Sequence, residues 1–183
     1  MPEANLLPLK ERMKIPRVHM PELDAEIRAH NFDEVNLGLA AAGAVTEAER
    51  CIACAKPGCQ LDCPVGVKIK EIVALIYAGD FLGAAKKMRE DNALPAITGR
   101  VCPQESQSEG GCVVGKKGEP VAIGNLERFI ADFERQSGEL GLPAIAPPTG
   151  KSIAVVGSGP AGLSAAGDLI QNGHRVRVFE APH

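Results

Sequence analysis

All six cysteines of this 183-residue chain, Cys51, Cys54, Cys59, Cys63, Cys102 and Cys112, fall between positions 51 and 112, and none lies elsewhere. Such crowding points to a stretch that folds around something its thiols hold in common. Disulfides are one answer. The start Met1–Pro2–Glu3–Ala4, however, lacks the basic segment and apolar core of a signal peptide. In a reducing compartment, clustered thiols favour metal ligation over cross-links. The expectation is a soluble, cytoplasmic protein with a metal-binding segment. Hydrophobic residues at 45% and charged residues at 23% leave enough apolar material for a core. A net charge of −3 offers no basic field to a phosphate backbone, so nucleic acid is not the expected partner. No run approaches the roughly 18–20 apolar residues of a membrane span, and an aromatic share of 3% without Trp argues against an all-β core.

Residues 1–45 read as an arm, with Pro2, Pro8, Pro16 and Pro21 spaced along it and its strongest helical part at 21–31. Thr46–Glu47–Ala48–Glu49 has the form of a capping box, which predicts a helical turn starting there and delivering Cys51. Apolar residues at 69, 72, 73, 75 and 76 predict a half-buried helix over 67–78, stopped by Gly79. Asp80 is placed to cap a helix over 81–91 that gathers Leu82, Ala85 and Met88 on one face. Leu126, Phe129, Ile130 and Phe133 predict another amphipathic helix from Asn125 to about Gln136. The fold class is therefore mainly α: a small helical domain over 46–137, a Pro- and Gly-rich linker over 138–150, and a separate α/β piece over 151–183.

That last piece opens with Ser152–Val156, an apolar run suited to a buried parallel strand, and passes directly into Gly157–Ser158–Gly159–Pro160–Ala161–Gly162. G-x-G-x-x-G between a strand and a helix is a dinucleotide fingerprint. The first glycine allows the turn, the second lets the backbone approach a pyrophosphate, and the third permits close helix–strand packing. Free N–H groups at the start of the helix then face the phosphates. Leu163–Gln171 supplies that helix, Asn172–Gly173 ends it, and Arg175–Phe179 reads as the second strand. Glu180 follows, placed to accept hydrogen bonds from a ribose diol. An open dinucleotide-binding sheet needs several more strands, so the expectation is the first βαβ unit of a truncated domain with uncovered apolar faces.

Cys51-x2-Cys54-x4-Cys59-x3-Cys63-Pro64 is close to the ferredoxin run C-x2-C-x2-C-x3-C-P, with a longer second gap. Thiolates two to four residues apart on a tight turn can reach neighbouring iron corners of one cubane, and Pro64 stops a helix from taking up the last ligand. Cys102, in Gly99–Arg100–Val101–Cys102–Pro103–Gln104–Glu105, and Cys112, after Gly110–Gly111, can close the remaining corners. Short Cys pairs also occur in all-thiolate zinc sites, so a non-catalytic docking module with structural zinc is the alternative.

With the arm Arg17–Glu22, the stretch Ile97–Glu105 and the stretch Pro120–Phe129, these residues resemble one family. It is the cluster-bearing N-terminal domain shared by the small subunit of NADPH-dependent glutamate synthase, the large subunit of NADH-dependent ferredoxin:NADP oxidoreductase and dihydropyrimidine dehydrogenase. The resemblance implies a helical domain holding two [4Fe–4S] clusters with interleaved ligands. By that likeness Cys51, Cys54, Cys59 and Cys112 hold the first cluster. The second takes Cys63, Cys102, the position now occupied by Ser108, and Glu127. Ser108 departs from the family, which usually has cysteine there. An alkoxide is a harder, more basic ligand, so the second cluster is expected to be weaker, lower in potential, three-iron or absent.

Glu127 as a solvent-facing helix residue is the competing reading, and Arg100 is either a donor to cluster sulfide or a surface ion pair. Gly-Pro-Ala-Gly-Leu-Ser-Ala-Ala resembles the FAD-binding form of the fingerprint. The implied function is an electron-transfer module passing electrons between FAD, reduced by NAD(P)H in the whole protein, and a larger catalytic subunit or ferredoxin-type partner. A dihydropyrimidine dehydrogenase-like parent is the further alternative. No residue is expected to act as acid, base or nucleophile, and His19, His30, His174 and His183 read as incidental.

Overall fold

The computed structural model describes residues 7–181, so Met1–Ala4 and His183 lie outside the described residues. The chain divides into two compact units, 1–139 and 140–183. In the first, among the described residues, the helices are α1 (Leu9–Arg12), α2 (Ala25–Arg28), α3 (Ala41–Glu49), α4 (Gly58–Leu61), α5 (Ile69–Tyr77), α6 (Phe81–Met88), α7 (Pro95–Val101) and α8 (Ile123–Ser137). Short 3-10 turns lie at Gln104–Ser106 and Val113–Lys116. The second unit is β1 (Ser152–Val156), α9 (Pro160–Gln171) and β2 (Arg175–Phe179), the strands parallel with Ser152 opposite Arg175 and Val156 opposite Phe179. The expected mainly helical region followed by one parallel βαβ unit is what the chain forms.

Periodicity explains the three helices that build the core. On α5 the buried residues are Ile69, Ile72, Val73 and Ile76, and the helix ends where Gly79 turns left-handed at φ +78°. The Asp80 carboxylate accepts the Gly83 N–H at 2.9 Å, capping α6, whose Ala84, Ala85 and Met88 are buried. Leu126, Phe129 and Ile130 of α8 meet these faces, with Ala44 and Ala48 of α3 alongside. Phe81 packs edge-on against Phe129 and Phe133 with ring centroids 5.0 Å apart in both pairs, a geometry that adds about 0.5–1.5 kcal/mol per pair beyond area burial.

Two local expectations are corrected. The capping box does not form, because α3 begins at Ala41 and Thr46 stands inside it, its hydroxyl donating to the Ala42 carbonyl at 2.9 Å. The alanines upstream of Thr46 extend the helix past the point where a cap would stop it. The helix expected over 21–31 shrinks to the four residues of α2. Its start is drawn out into extended backbone: Glu22 bridges Asn36, with Leu23 N–H donating to Val35 O and Leu37 N–H to Pro21 O, both at 2.8 Å. Among the described residues no helix is long and apolar enough to cross a membrane.

At the end of α3, Glu47 is wholly buried and Arg50 nearly so. Glu47 Oε1 accepts from Arg50 Nη1 and from Ala122 N–H at 2.7 Å, and its Oε2 accepts from Val18 N–H at 2.7 Å. Arg50 donates further to the carbonyls of Ile15, Glu119 and Pro120 at 3.0, 2.6 and 3.0 Å. Glu47→Ala strands a buried guanidinium and two amides and should cost about 3–5 kcal/mol. Urea unfolding of the whole chain checks this, and a loss below about 1 kcal/mol contradicts it.

Candidate functional site

Cys51 leaves the end of α3, Cys54 follows a tight turn, Cys59 sits in α4, and Cys112 immediately precedes the second 3-10 turn. All four line one pocket, partly open to solvent, with Ile52, Val113, Val114 and Val121 supplying apolar wall. Two backbone features bring them there. Ala53 turns left-handed at φ +50°, folding the chain between Cys51 and Cys54. Gly58 and Gly111 meet backbone to backbone: a Cβ on Gly58 would stand 2.4 Å from Gly111 O, and one on Gly111 would stand 2.7 Å from Gly58 O. Each of these glycines directly precedes a ligand candidate, so the contact sets Cys59 beside Cys112.

The electrostatics of this group follow from its crowding. Burial, then the neighbouring thiols of Cys51, Cys112 and Cys54, pushes Cys59 up from about 9 to about 12, and burial raises Cys51 as well. The backbone N–H groups of Ala53 and Gln60 work the other way, favouring the Cys51 and Cys59 thiolates. Cys51 and Cys59 therefore ionise readily only against positive charge. Among the described residues no three His, Cys, Asp or Glu side chains group tightly enough to hold a single metal ion. Four thiols lining one largely apolar pocket are the soft donor set that an iron–sulfur cluster takes.

Cys102, at the end of α7, has its thiol raised by burial first, then by the charges of Glu127 and Cys63. Gly99 sets that end of α7 against α8, since a Cβ there would lie 2.7 Å from Arg128 N and 2.9 Å from its Cα. Glu127 is buried, only 8% exposed, which removes the solvent-facing reading. Its Oε1 accepts from Asn92 Nδ2 at 3.0 Å and from the Thr98 hydroxyl, and burial nonetheless keeps its carboxyl above the usual range. Sequence reasoning did not single out Asn92 or Thr98; no motif marks Asn92, and Thr98 shows only as a member of Ile97–Glu105. Ser108 is buried, six residues after Cys102 in the turn leading to Cys112, and its hydroxyl makes no hydrogen bond among the described residues. Arg100 pairs with Glu34 and Asp132, each at 2.7 Å, as the ion-pair alternative had it.

In the second unit Gly157 adopts φ +98°, and a Cβ on Gly162 would strike Gly157 O at 2.1 Å, as the turn and packing roles require. Gly159 faces open space, room that a side chain would take from a ligand. It precedes Pro160 and Ala161 in the first turn of α9, where no side chain caps the helix. Glu180 reaches the same turn: its Oε2 accepts from Ser158 N–H at 2.6 Å and from Ser158 Oγ at 2.7 Å, and these bonds hold its carboxyl below the usual range. An ionised acceptor and free helix N–H groups at one glycine turn fit a dinucleotide. Val156, Leu163, Ile170, Val178 and Phe179 stand exposed on the strands and helix around it.

In the metal-free protein Cys59 stays protonated in the fold up to about pH 12, whereas the unfolded thiol ionises near 9. Its contribution to stability is therefore full below the unfolded value and is lost as pH rises through about 12. Metal-free chain should accordingly alkylate at Cys59 far more slowly than a free thiol at pH 8–9 and should lose stability between pH 9 and 12. Rapid Cys59 labelling at pH 8, read by peptide mass spectrometry, contradicts this.

Comparison with known proteins finds that the family "Dihydropyrimidine dehydrogenase domain II, 4Fe-4S cluster" matches residues 28–139, more than half of the chain. An NAD(P)-binding Rossmann-like domain matches residues 155–183. The chain is 36% identical over 164 residues to the glutamate synthase [NADPH] small chain of Escherichia coli strain K12, covering 90% of this chain and 35% of that one. It is 38% identical over 150 residues to the NAD-dependent dihydropyrimidine dehydrogenase subunit PreT of the same strain, covering 81% and 36%. The corresponding small chain of Halomonas elongata is 35% identical over 156 residues, covering 85% and 33%. The chain thus spans about a third of the length of these curated relatives.

Proposed function

The chain belongs to the dihydropyrimidine dehydrogenase domain II family of 4Fe–4S domains, and from that premise we propose that it is the electron-transfer module of a flavin-dependent NAD(P)H oxidoreductase similar to the glutamate synthase small chain. The observation that carries the proposal is the convergence of Cys51, Cys54, Cys59 and Cys112 on one largely apolar pocket. A bound [4Fe–4S] cluster supplies uptake and release of single electrons, which no side chain here can do. Cys51, Cys54, Cys59 and Cys112 would hold the first, and Cys63, Cys102, Glu127 and Ser108 the second.

The chain's own residues hold, orient and shield. Ile52, Val113, Val114 and Val121 keep water from the thiolates, and the Ala53 and Gln60 N–H groups steady the charge on Cys51 and Cys59. Because these thiols are protonated in the metal-free fold, loading the site releases their protons. In the second unit the glycine turn with α9 would receive the pyrophosphate of FAD, and Glu180 would exchange Ser158 for the ribose diol. In the whole protein NAD(P)H would supply the electrons to that flavin, and a larger catalytic subunit or a ferredoxin-type protein would be the partner that exchanges them with this chain. The similarity to PreT favours a dihydropyrimidine dehydrogenase-like parent as the second reading.

Supplied anaerobically with iron and sulfide, the chain should take up about four irons and four sulfides for each complete cluster and show a broad visible absorbance that dithionite bleaches. Cys59→Ala should remove the first cluster and leave signal from the second. Uptake of zinc without acid-labile sulfide, or an unchanged spectrum in Cys59→Ala, overturns the reading.

A further inference from the structure

We propose that Thr98 and Asn92 are positioning residues that present the Glu127 carboxylate as an oxygen ligand of the second centre. The inference rests on the ligand set proposed above and adds to it the groups that aim its oxygen donor. Glutamate carries three rotatable bonds, so burial alone leaves its carboxylate several directions. Here both donors fall on one oxygen: Asn92 Nδ2 at 3.0 Å and the Thr98 hydroxyl each meet Glu127 Oε1. The Thr98 hydroxyl has a single proton, and the carboxylate is a stronger acceptor than the Leu94 carbonyl 3.0 Å away, so the proton goes to Glu127.

The donors are themselves fixed. Asn92 is buried, its second Nδ2 hydrogen reaches Thr98 Oγ1 at 2.7 Å, and its Oδ1 accepts the Leu94 N–H at 3.0 Å where α7 begins. Thr98 also joins Glu127 to the cysteine of the same group, because its carbonyl accepts the Cys102 N–H at 3.0 Å. With Gly99 held on the backbone of Arg128, one turn of α7 sets the position of Cys102 and the direction of Glu127 together. In the proposed ligand set that turn would hold the Glu127 carboxylate and the Cys102 thiolate in a fixed relation for a bound centre.

The test compares the anaerobically reconstituted full chain with Glu127→Ala, Thr98→Val, Thr98→Ser and the pair Thr98→Val/Asn92→Ala. Iron and sulfide content, the electron paramagnetic resonance spectrum and the melting temperature are read for each. Wild type should carry nearly twice the iron of Glu127→Ala, a roughly twofold difference expected for two centres against one. Thr98→Val and the paired variant should fall to the Glu127→Ala level with the first cluster's signal intact, while Thr98→Ser, which keeps the hydroxyl, should restore the wild-type spectrum. Wild-type iron and an unaltered second signal in the paired variant overturn the positioning role. So does loss of both clusters' signals in Thr98→Val and Thr98→Ser alike, which marks a purely structural contact. Equal iron in wild type and Glu127→Ala instead overturns Glu127 as a ligand, and the inference falls with it.

Discussion

The buried ion pair of Glu47 and Arg50 sets the frame on which the first unit is assembled. Removing two charges from water is costly, and a pair alone does not offset it. Here the Glu47 carboxylate also takes the N–H groups of Val18 and Ala122, and the guanidinium takes three carbonyls. Those partners come from the arm before α2 and from the segment that enters α8. One turn of α3 therefore ties together three stretches far apart in sequence, and the next residue along the chain is Cys51. Arg12 and Arg17 reinforce the same seam, bonding to the Glu49 and Pro120 carbonyls at 2.7 and 2.9 Å.

From that frame the two donor groups separate. Cys59 and Cys63 are four residues apart, yet Cys59 lines the pocket with Cys51, Cys54 and Cys112, while Cys63 is not among its lining residues. Each group is closed by a backbone contact that tolerates no side chain: Gly58 on Gly111 for the first, Gly99 on Arg128 for the second. On the proposed reading the site would gain and lose electrons and would need no mobile acid or base. It needs donors that stay in place when the charge changes, and close-packed backbone gives that rigidity better than side-chain packing does.

The sequence made α5, α6 and α8 legible because one wall of each is apolar at helical spacing and punctuation stands where it should, at Gly79, Asp80 and Gly138. The cysteine spacing and the glycine turn were legible for the same reason, being local patterns. What failed was long-range. Thr46 and Glu49 match a capping box as a string, but the pattern cannot show that Glu47 between them is the most deeply buried carboxylate, committed to amides 29 and 75 residues away. Helix α7 carries Gly99 and Thr98 within seven residues, a weak helical signal. It is held by contact with α8 and by Asn92, not by propensity. Glu127 looked like either a ligand or a surface residue, and only its burial beside Asn92 and Thr98 separates the two.

The two donor groups are chemically unequal, and on the proposed ligand set that inequality gives the module a direction. Four thiols line the first pocket, soft donors that would share electron density with a bound iron, and backbone N–H groups stand at Cys51 and Cys59. The second group offers two thiolates, the Glu127 carboxylate and the Ser108 hydroxyl. Oxygen donors are harder and favour the more oxidised iron, so the second centre would be the poorer electron acceptor. Glu127 accentuates this, because its charge already raises the Cys102 thiol and would oppose an added electron in the same way. Were both centres loaded as proposed, the one at Cys51, Cys54, Cys59 and Cys112 would be the easier to reduce. Ser108→Cys would give the proposed second group a third soft donor and narrow that difference.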